Sequence, residues 1–165
     1  MKLISLDPSG NWGKEGMGTT GICVMEDGVP KELTRISAKD FSSEVEYWAA
    51  HQDYIRKEWP DHICFEGYKL YNHRGMSAKT QANSELQTSQ LIGILKLTCH
   101  RMEIPYTVAF ASDVKTRWSE DVLVRLGILE QKGNKYYFNG KSTVTHHRDA
   151  LKHALHYWRY KHESK

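Results

Sequence analysis

Apolar and polar positions along this chain fall into short blocks divided by turn residues. M-K-L-I-S-L is an apolar, β-prone run that stops at D-P-S-G, so residues 2–7 predict a strand with Asp7 at its carboxyl end. G-T-T-G-I-C-V-M-E and V-P-K-E-L-T-R-I predict two further strands joined through Asp27-Gly28, completing a three-stranded meander. Ser42 or Ser43 caps a predicted helix running to about Trp59, with Val45, Trp48, Ile55 and Trp59 on its inward stripe. A turn at W-P-D precedes the strand I-C-F, which ends at Glu66 with a glycine directly after the acid. A second helix is predicted over about 84–102, with Leu91, Ile94, Leu95 and Met102 facing core or partner. Y-T-V-A-F gives a fifth strand, followed by a basic segment. G-N-K-Y-Y-F-N-G at 133–140 predicts a strand or small hairpin between turns. T-H-H-R-D-A-L-K-H-A-L-H-Y-W-R-Y closes the chain as a helix whose apolar stripe is Ala150, Leu151, Ala154, Leu155 and Trp158.

The order is therefore β-β-β-α-β-α-β-α, an α/β arrangement. At 165 residues the chain suffices for one sizeable core and leaves little room for a second, so residues 1–165 are expected to form one domain. M-K-L-I-S-L is short for a signal peptide and soon turns polar, and no apolar stretch approaches membrane-spanning length. Cys23, Cys64 and Cys99 lack paired metal-ligand spacing, and their surroundings predict buried, reduced thiols. A soluble, cytoplasmic setting is expected.

Three acids and a histidine carry the candidate chemistry. Asp7 and Glu66 end strands, while His146 and Asp149 stand at i and i+3 on one face of the last helix's first turn. Carboxylates packed together repel one another unless a cation compensates them, and Mg²⁺ or Mn²⁺ suits such oxygen ligands. Two such ions about 4 Å apart can activate water and stabilise the departing oxygen of a phosphodiester. His146 either completes a ligand shell or assists proton transfer. The net charge of +3 is compatible with nucleic acid without identifying it. Its distribution is more telling: residues 141–165 hold six Lys/Arg against two Asp/Glu, with Lys141, Arg148, Lys152, Arg159, Lys161 and Lys165 candidates for phosphate contact. Lys69, Arg74 and Lys79 make a second basic group, and Lys115 and Arg117 precede Trp118. Tyr68 and Tyr71 either anchor the loop after Glu66 or pack against an opened nucleotide. The glycines at 10, 13, 16, 18 and 21 do not form a phosphate loop, and no G-x-S-x-G elbow supports a serine hydrolase.

L-D-P-S at the first strand, F-E-G at the fourth and H-H-R-D-A-L-K-H-A-L in the last helix resemble the RuvC family of Holliday junction resolvases, especially its phage members. The element order likewise resembles the ribonuclease H fold, with a central mixed five-stranded sheet and flanking helices. The resemblance implies catalytic and metal-ligating roles for Asp7, Glu66, His146 and Asp149, with Lys69, Arg74, Lys79, Lys115, Arg117, Arg148 and Lys152 toward DNA. It further implies Mg²⁺ or Mn²⁺ as cofactor and paired cutting of four-way or other branched DNA by a homodimer. The 84–102 helix is a candidate interface, as well as a candidate core helix. Two alternatives stay open: a ribonuclease H-like enzyme cutting RNA in RNA/DNA hybrids, and an inactive protein that binds branched DNA.

Overall fold

The computed structural model describes residues 1–13, 16–68 and 78–162, with side chains from Leu86 onward in the last segment. Strands β1 (Lys2–Asp7), β2 (Thr19–Glu26) and β3 (Val29–Ser37) form the expected antiparallel meander. Asp27 and Gly28 both take positive φ, 47° and 80°, a turn whose twist suits a two-residue hairpin. Helix α1 (Glu44–Glu58) leads to β4 (His62–Glu66), and α2 (Ala78–Arg101) to β5 (Tyr106–Ala109). The sheet runs β3-β2-β1-β4-β5, with β1, β4 and β5 parallel. Two short helices follow, α3 (Ala111–Lys115) and α4 (Glu120–Arg125). A small antiparallel sheet comes next, built from β6 (Glu130–Lys132), β7 (Lys135–Phe138) and β8 (Lys141–Ser142). Helix α5 (Thr145–Tyr157) ends in a π-helical turn, Trp158–His162. Among the described residues no helix is long and apolar enough to cross a membrane.

Strands β1 and β4 are buried along most of their length because both faces of the sheet are covered there. Period two sends Ile4 and Leu6 of β1 and Ile63 and Phe65 of β4 to one side, where Ile55 of α1 and Leu91, Leu95 and Cys99 of α2 meet them. Leu3 and Cys64 point the other way, into a second core with Ala150, Leu151 and Ala154 of α5. Phe138 of the small sheet joins that second core. The expected hairpin at 133–140 is thus part of a three-stranded sheet. Cys23, Cys64 and Cys99 are free and buried, and burial pushes their thiols up, the Cys64 thiol to about 12.

Several local expectations are corrected. Ser43 caps α1, accepting from the Glu46 amide at 3.2 Å; Ile55 is buried and Trp48 packs partly buried against the same core as expected, but the fully buried stripe also holds Tyr47 and His51. Val45 is 72% exposed, lying almost opposite Tyr47 around the helix. Trp59 has the right spacing yet is 66% exposed, because it occupies the left-handed C-cap at φ 44° and has left the helical phase. Helix α2 begins about six residues before the expected start, since its polar opening has no apolar periodicity to reveal it. Ile92 and Cys99 join Leu91 and Leu95 on its buried side, whereas Ile94 is half-buried and Met102 packs at the core's edge.

Candidate active site

The alternation that builds the two cores also aims the acids. Asp7 shares the face of Leu3, and Glu66 that of Cys64, so both carboxylates lie on the side of the sheet that α5 covers. Parallel register pairs Leu6 with Phe65, so the two acids follow side by side at the strand ends. On its other side Asp7 pairs with Gly21 of β2. A Cβ on Gly21 would sit 1.9 Å from the His146 carbonyl oxygen, so the absent side chain lets the first turn of α5 rest directly on the sheet. Val144 donates its N–H to His147 Nδ1 at 3.3 Å there, which gives His147 a capping task rather than a place in the site.

Asp7, Glu66, His146 and Asp149 are brought together, each with a partner. His146 Nδ1 lies 2.8 Å from Asp7 Oδ2. His153, buried in α5, donates from Nε2 to Glu66 Oε2 at 2.8 Å. Asp149 holds two ammonium groups: Lys152 on Oδ1 at 3.0 Å and Lys115 on Oδ2 at 3.2 Å. Burial pushes the Asp7 carboxyl above its ordinary range; the His146 hydrogen bond opposes this, and Glu66 and Asp149 push it further up. His146 is raised by its bond to Asp7. Burial works against the Lys115 ammonium, but Asp149, Glu66 and Asp7 together hold it above the usual lysine range. Lys115 thus lies within the field of all three acids.

Carboxylate oxygens are of the kind a hard divalent cation takes, and Glu66 and Asp149 push the Asp7 carboxyl up, a repulsion such a cation would relieve. Among the described residues no three Asp, Glu, His or Cys groups form a ready coordination shell. Lys152 and Lys115 pair with Asp149, and the His146 and His153 rings bond Asp7 and Glu66.

The basic residues diverge from expectation. Lys152, proposed for phosphate contact, is only 4% exposed and also bonds Glu120 Oε1 at 2.8 Å. Arg148 reaches the same Glu120 oxygen at 3.2 Å, bonds the Thr143 carbonyl at 3.2 Å and covers the Tyr136 ring. Both lie on the flank of α5 that meets Glu120. That carboxyl is held below its ordinary range: burial would raise it, but Lys152 and Arg148 outweigh that effect. Arg117 lies over the Tyr160 ring at 4.8 Å. Lys69, Arg74 and Tyr71 lie outside the described residues, as does the Lys79 side chain. Tyr68 packs partly buried against the α1/α2 core, in keeping with loop anchoring. Two residues were missed. His153 stands four residues after Asp149 and seven after His146, a same-face spacing that would have found it. Glu120 has no comparable signal.

The backbone beyond Asp7 is pinned from α1. His51 Nδ1 donates to the Tyr47 carbonyl at 2.8 Å, leaving Nε2 to accept from Thr20 Oγ1, also at 2.8 Å. Thr20 Oγ1 in turn accepts from the Ser9 amide at 3.2 Å, and the Tyr47 hydroxyl donates to the Ser9 carbonyl. Burial pushes His51 down to about 4, so the folded protein holds it neutral where the unfolded chain, at its ordinary 6.5, takes up a proton. This contribution is complete above pH 6.5 and is lost progressively as pH falls toward 4. Urea unfolding at pH 7 and pH 5 is expected to show a loss of about 2 kcal/mol from this group. His51→Gln should remove that part of the slope; an unchanged pH dependence would eliminate His51 as its source.

No family model and no curated protein matches the chain. Solved structures do. RuvC of Thermus thermophilus in complex with Holliday junction substrate superposes with a TM-score of 0.62 at 14% identity, over 94% of this chain and 90% of that one. A second Thermus thermophilus RuvC structure gives 0.54 at 16% identity, over 94% and 92%. With its β3-β2-β1-β4-β5 mixed sheet and flanking helices, the chain has a RuvC-like fold of the ribonuclease H type.

Proposed function

We propose that this protein is a divalent-metal-dependent endonuclease that resolves four-way DNA junctions by paired phosphodiester hydrolysis. The observation that carries this reading is the meeting of three carboxylates from β1, β4 and α5 around the Lys115 ammonium, on a fold shared with a RuvC solved on a Holliday junction. Asp7, Glu66 and Asp149 would hold Mg²⁺ or Mn²⁺, which supplies an activated water at neutral pH and charge stabilisation for the departing oxygen. His153 orients Glu66 by gripping one of its oxygens. His146 stands against Asp7, where its Nδ1 can hold or release a proton. Lys115, with a side chain 49% exposed, is free to leave Asp149 for a phosphate when the metal enters. Residues 1–165 act as one endonuclease domain. A C2 homodimer provides two centres for the two symmetric cuts.

Cleavage of four-way junctions, three-way branches, flaps, linear duplex and RNA/DNA hybrids tests the reading. The expected result is Mg²⁺- or Mn²⁺-dependent paired incision of the four-way junction, well above linear duplex. Preferential cutting of the RNA strand in a hybrid would replace it with a ribonuclease H activity. Junction binding without cutting would leave an inactive branched-DNA-binding protein.

A further inference from the structure

Resting on the junction-nuclease reading, we infer that the groove between β3 and the small sheet is a phosphate-binding site, which holds a backbone phosphate of the duplex arm beside the cut and makes β6–β8 a clamp on DNA. The groove encloses about 80 Å³. Leu33 and Phe138, both packed on the α5 core, give it an apolar floor, and Lys31, Asn139, Lys141 and His147 line it. Local structure sets each cation there. A bulge in β3 leaves Lys31 between Pro30 and Glu32, which pair with Met25 and Val24, so its side chain is released from the strand's strict alternation. Asn139 and Gly140, at φ 49° and 76°, make the two-residue turn that sets Lys141 opposite Phe138. Arg35 shares the face of Leu33, two residues along β3.

Charge on this face is uncompensated. Lys115, Arg148 and Lys152 each meet a carboxylate, whereas Lys31, Arg35 and Lys141 form no ion pair among the described residues. Glu32 borders the groove, but alternation turns its carboxylate to the opposite face, where Ile36 meets the α1/α2 core and where its charge reaches Tyr54. Asp27, whose charge reaches Lys31, is already taken by the Met1 ammonium. His147 adds a hydrogen-bond donor. Its Nδ1 accepts the Val144 N–H, so Nε2 carries the hydrogen, and Nε2 is buried with no partner among the described residues. An oxyanion in the groove supplies the acceptor that it lacks. Position then selects which phosphate. Arg35, Gly21 and Asp7 are successive partners across β3, β2 and β1, so Arg35 lies about 10 Å from Asp7 and Lys31 farther still. That is too far for the phosphate being cut, and it suits one further along the same duplex, where a contact fixes position without reading sequence.

The test is binding of the full chain to two four-way junctions of unrelated sequence, followed by fluorescence anisotropy over a KCl series, with magnetic resonance of the histidine rings in parallel. Lys31→Gln/Lys141→Gln, at two exposed positions and confirmed folded by circular dichroism, should flatten the slope of log affinity against log salt by about one, which is about tenfold weaker binding at 0.1 M KCl, equally on both junctions. Lys57→Gln/Lys96→Gln, exposed on α1 and α2, is the charge-matched control and should keep the wild-type slope. In the wild type the His147 ring signal should move when junction is added. An unchanged slope in Lys31→Gln/Lys141→Gln, an equal loss in the control, or a still His147 signal would overturn the clamp. A loss confined to one junction would mean base reading in place of phosphate contact and would also overturn it. If inorganic phosphate moves the His147 signal while Lys31→Gln/Lys141→Gln binds both junctions normally, the groove takes free phosphate and the DNA assignment falls. Cutting separates this inference from the reading beneath it: a wild-type protein that shows the expected binding but never cuts under Mg²⁺ or Mn²⁺ rejects the nuclease and leaves the clamp standing.

Discussion

Asp7→Asn and Glu66→Gln are each expected to lower incision of a four-way junction by about a thousandfold or more while junction binding persists. Each swap removes one anionic oxygen from the proposed metal centre with little change of shape, and loss of several kcal/mol of charge stabilisation in the transition state corresponds to a rate effect of that size. The stability readout separates these variants from a third. The Asp7 carboxyl is raised by burial and by the neighbouring acids, so a neutral amide there relieves repulsion; Asp7→Asn should melt at or above the wild-type temperature. Asp149→Asn should instead destabilise the fold, because Lys152 then keeps only Glu120 as its carboxylate partner in a buried place. Gel assays of paired nicking and thermal melts of the same preparations check both halves. Near-normal cutting by folded Asp7→Asn and Glu66→Gln would reject the proposed centre.

Gly21→Val is expected to cost about 3 kcal/mol or more and to abolish incision, although residue 21 carries no reactive group. The first atom of any side chain there falls 1.9 Å from the His146 carbonyl oxygen and 2.3 Å from its carbon, both backbone atoms that cannot rotate aside. The N-terminal turn of α5 must lift from β2, carrying His146 and Asp149 away from Asp7. Gly93→Ala is the matched control. Gly93 is exposed within α2, and a Cβ there meets nothing within 4 Å, so the substitution should be neutral or stabilise by about 0.5–1 kcal/mol. Urea unfolding and junction cleavage of the two variants test the argument. A Gly21→Val protein with wild-type stability and activity would show that α5 is not seated on β2 as described.

The main strands and the closing helix were legible because they rest on local rules. Apolar runs cut by D-P-S-G and by a glycine after Glu66 end β1 and β4 where expected, and i, i+3 spacing puts His146 and Asp149 on one face of α5. Backbone alternation alone also determines that Asp7 and Glu66 share the faces of Leu3 and Cys64. Other local features gave no such signal: the polar opening of α2 hides its start, and the αL cap at Trp59 breaks the phase that its spacing suggests. The basic residues show the deeper limit. Lys152 and Arg148 have the composition of phosphate ligands, yet both turn to Glu120, 32 and 28 residues away, while Lys115 turns to Asp149. The His146–Asp7 contact spans 139 residues, and His153–Glu66 spans 87. Periodicity is written into the chain because each residue's direction follows from its neighbours' backbone geometry. The choice between solvent, phosphate and a buried carboxylate is made only when distant elements close on one another, because that closure sets which charges lose their water and must find a partner.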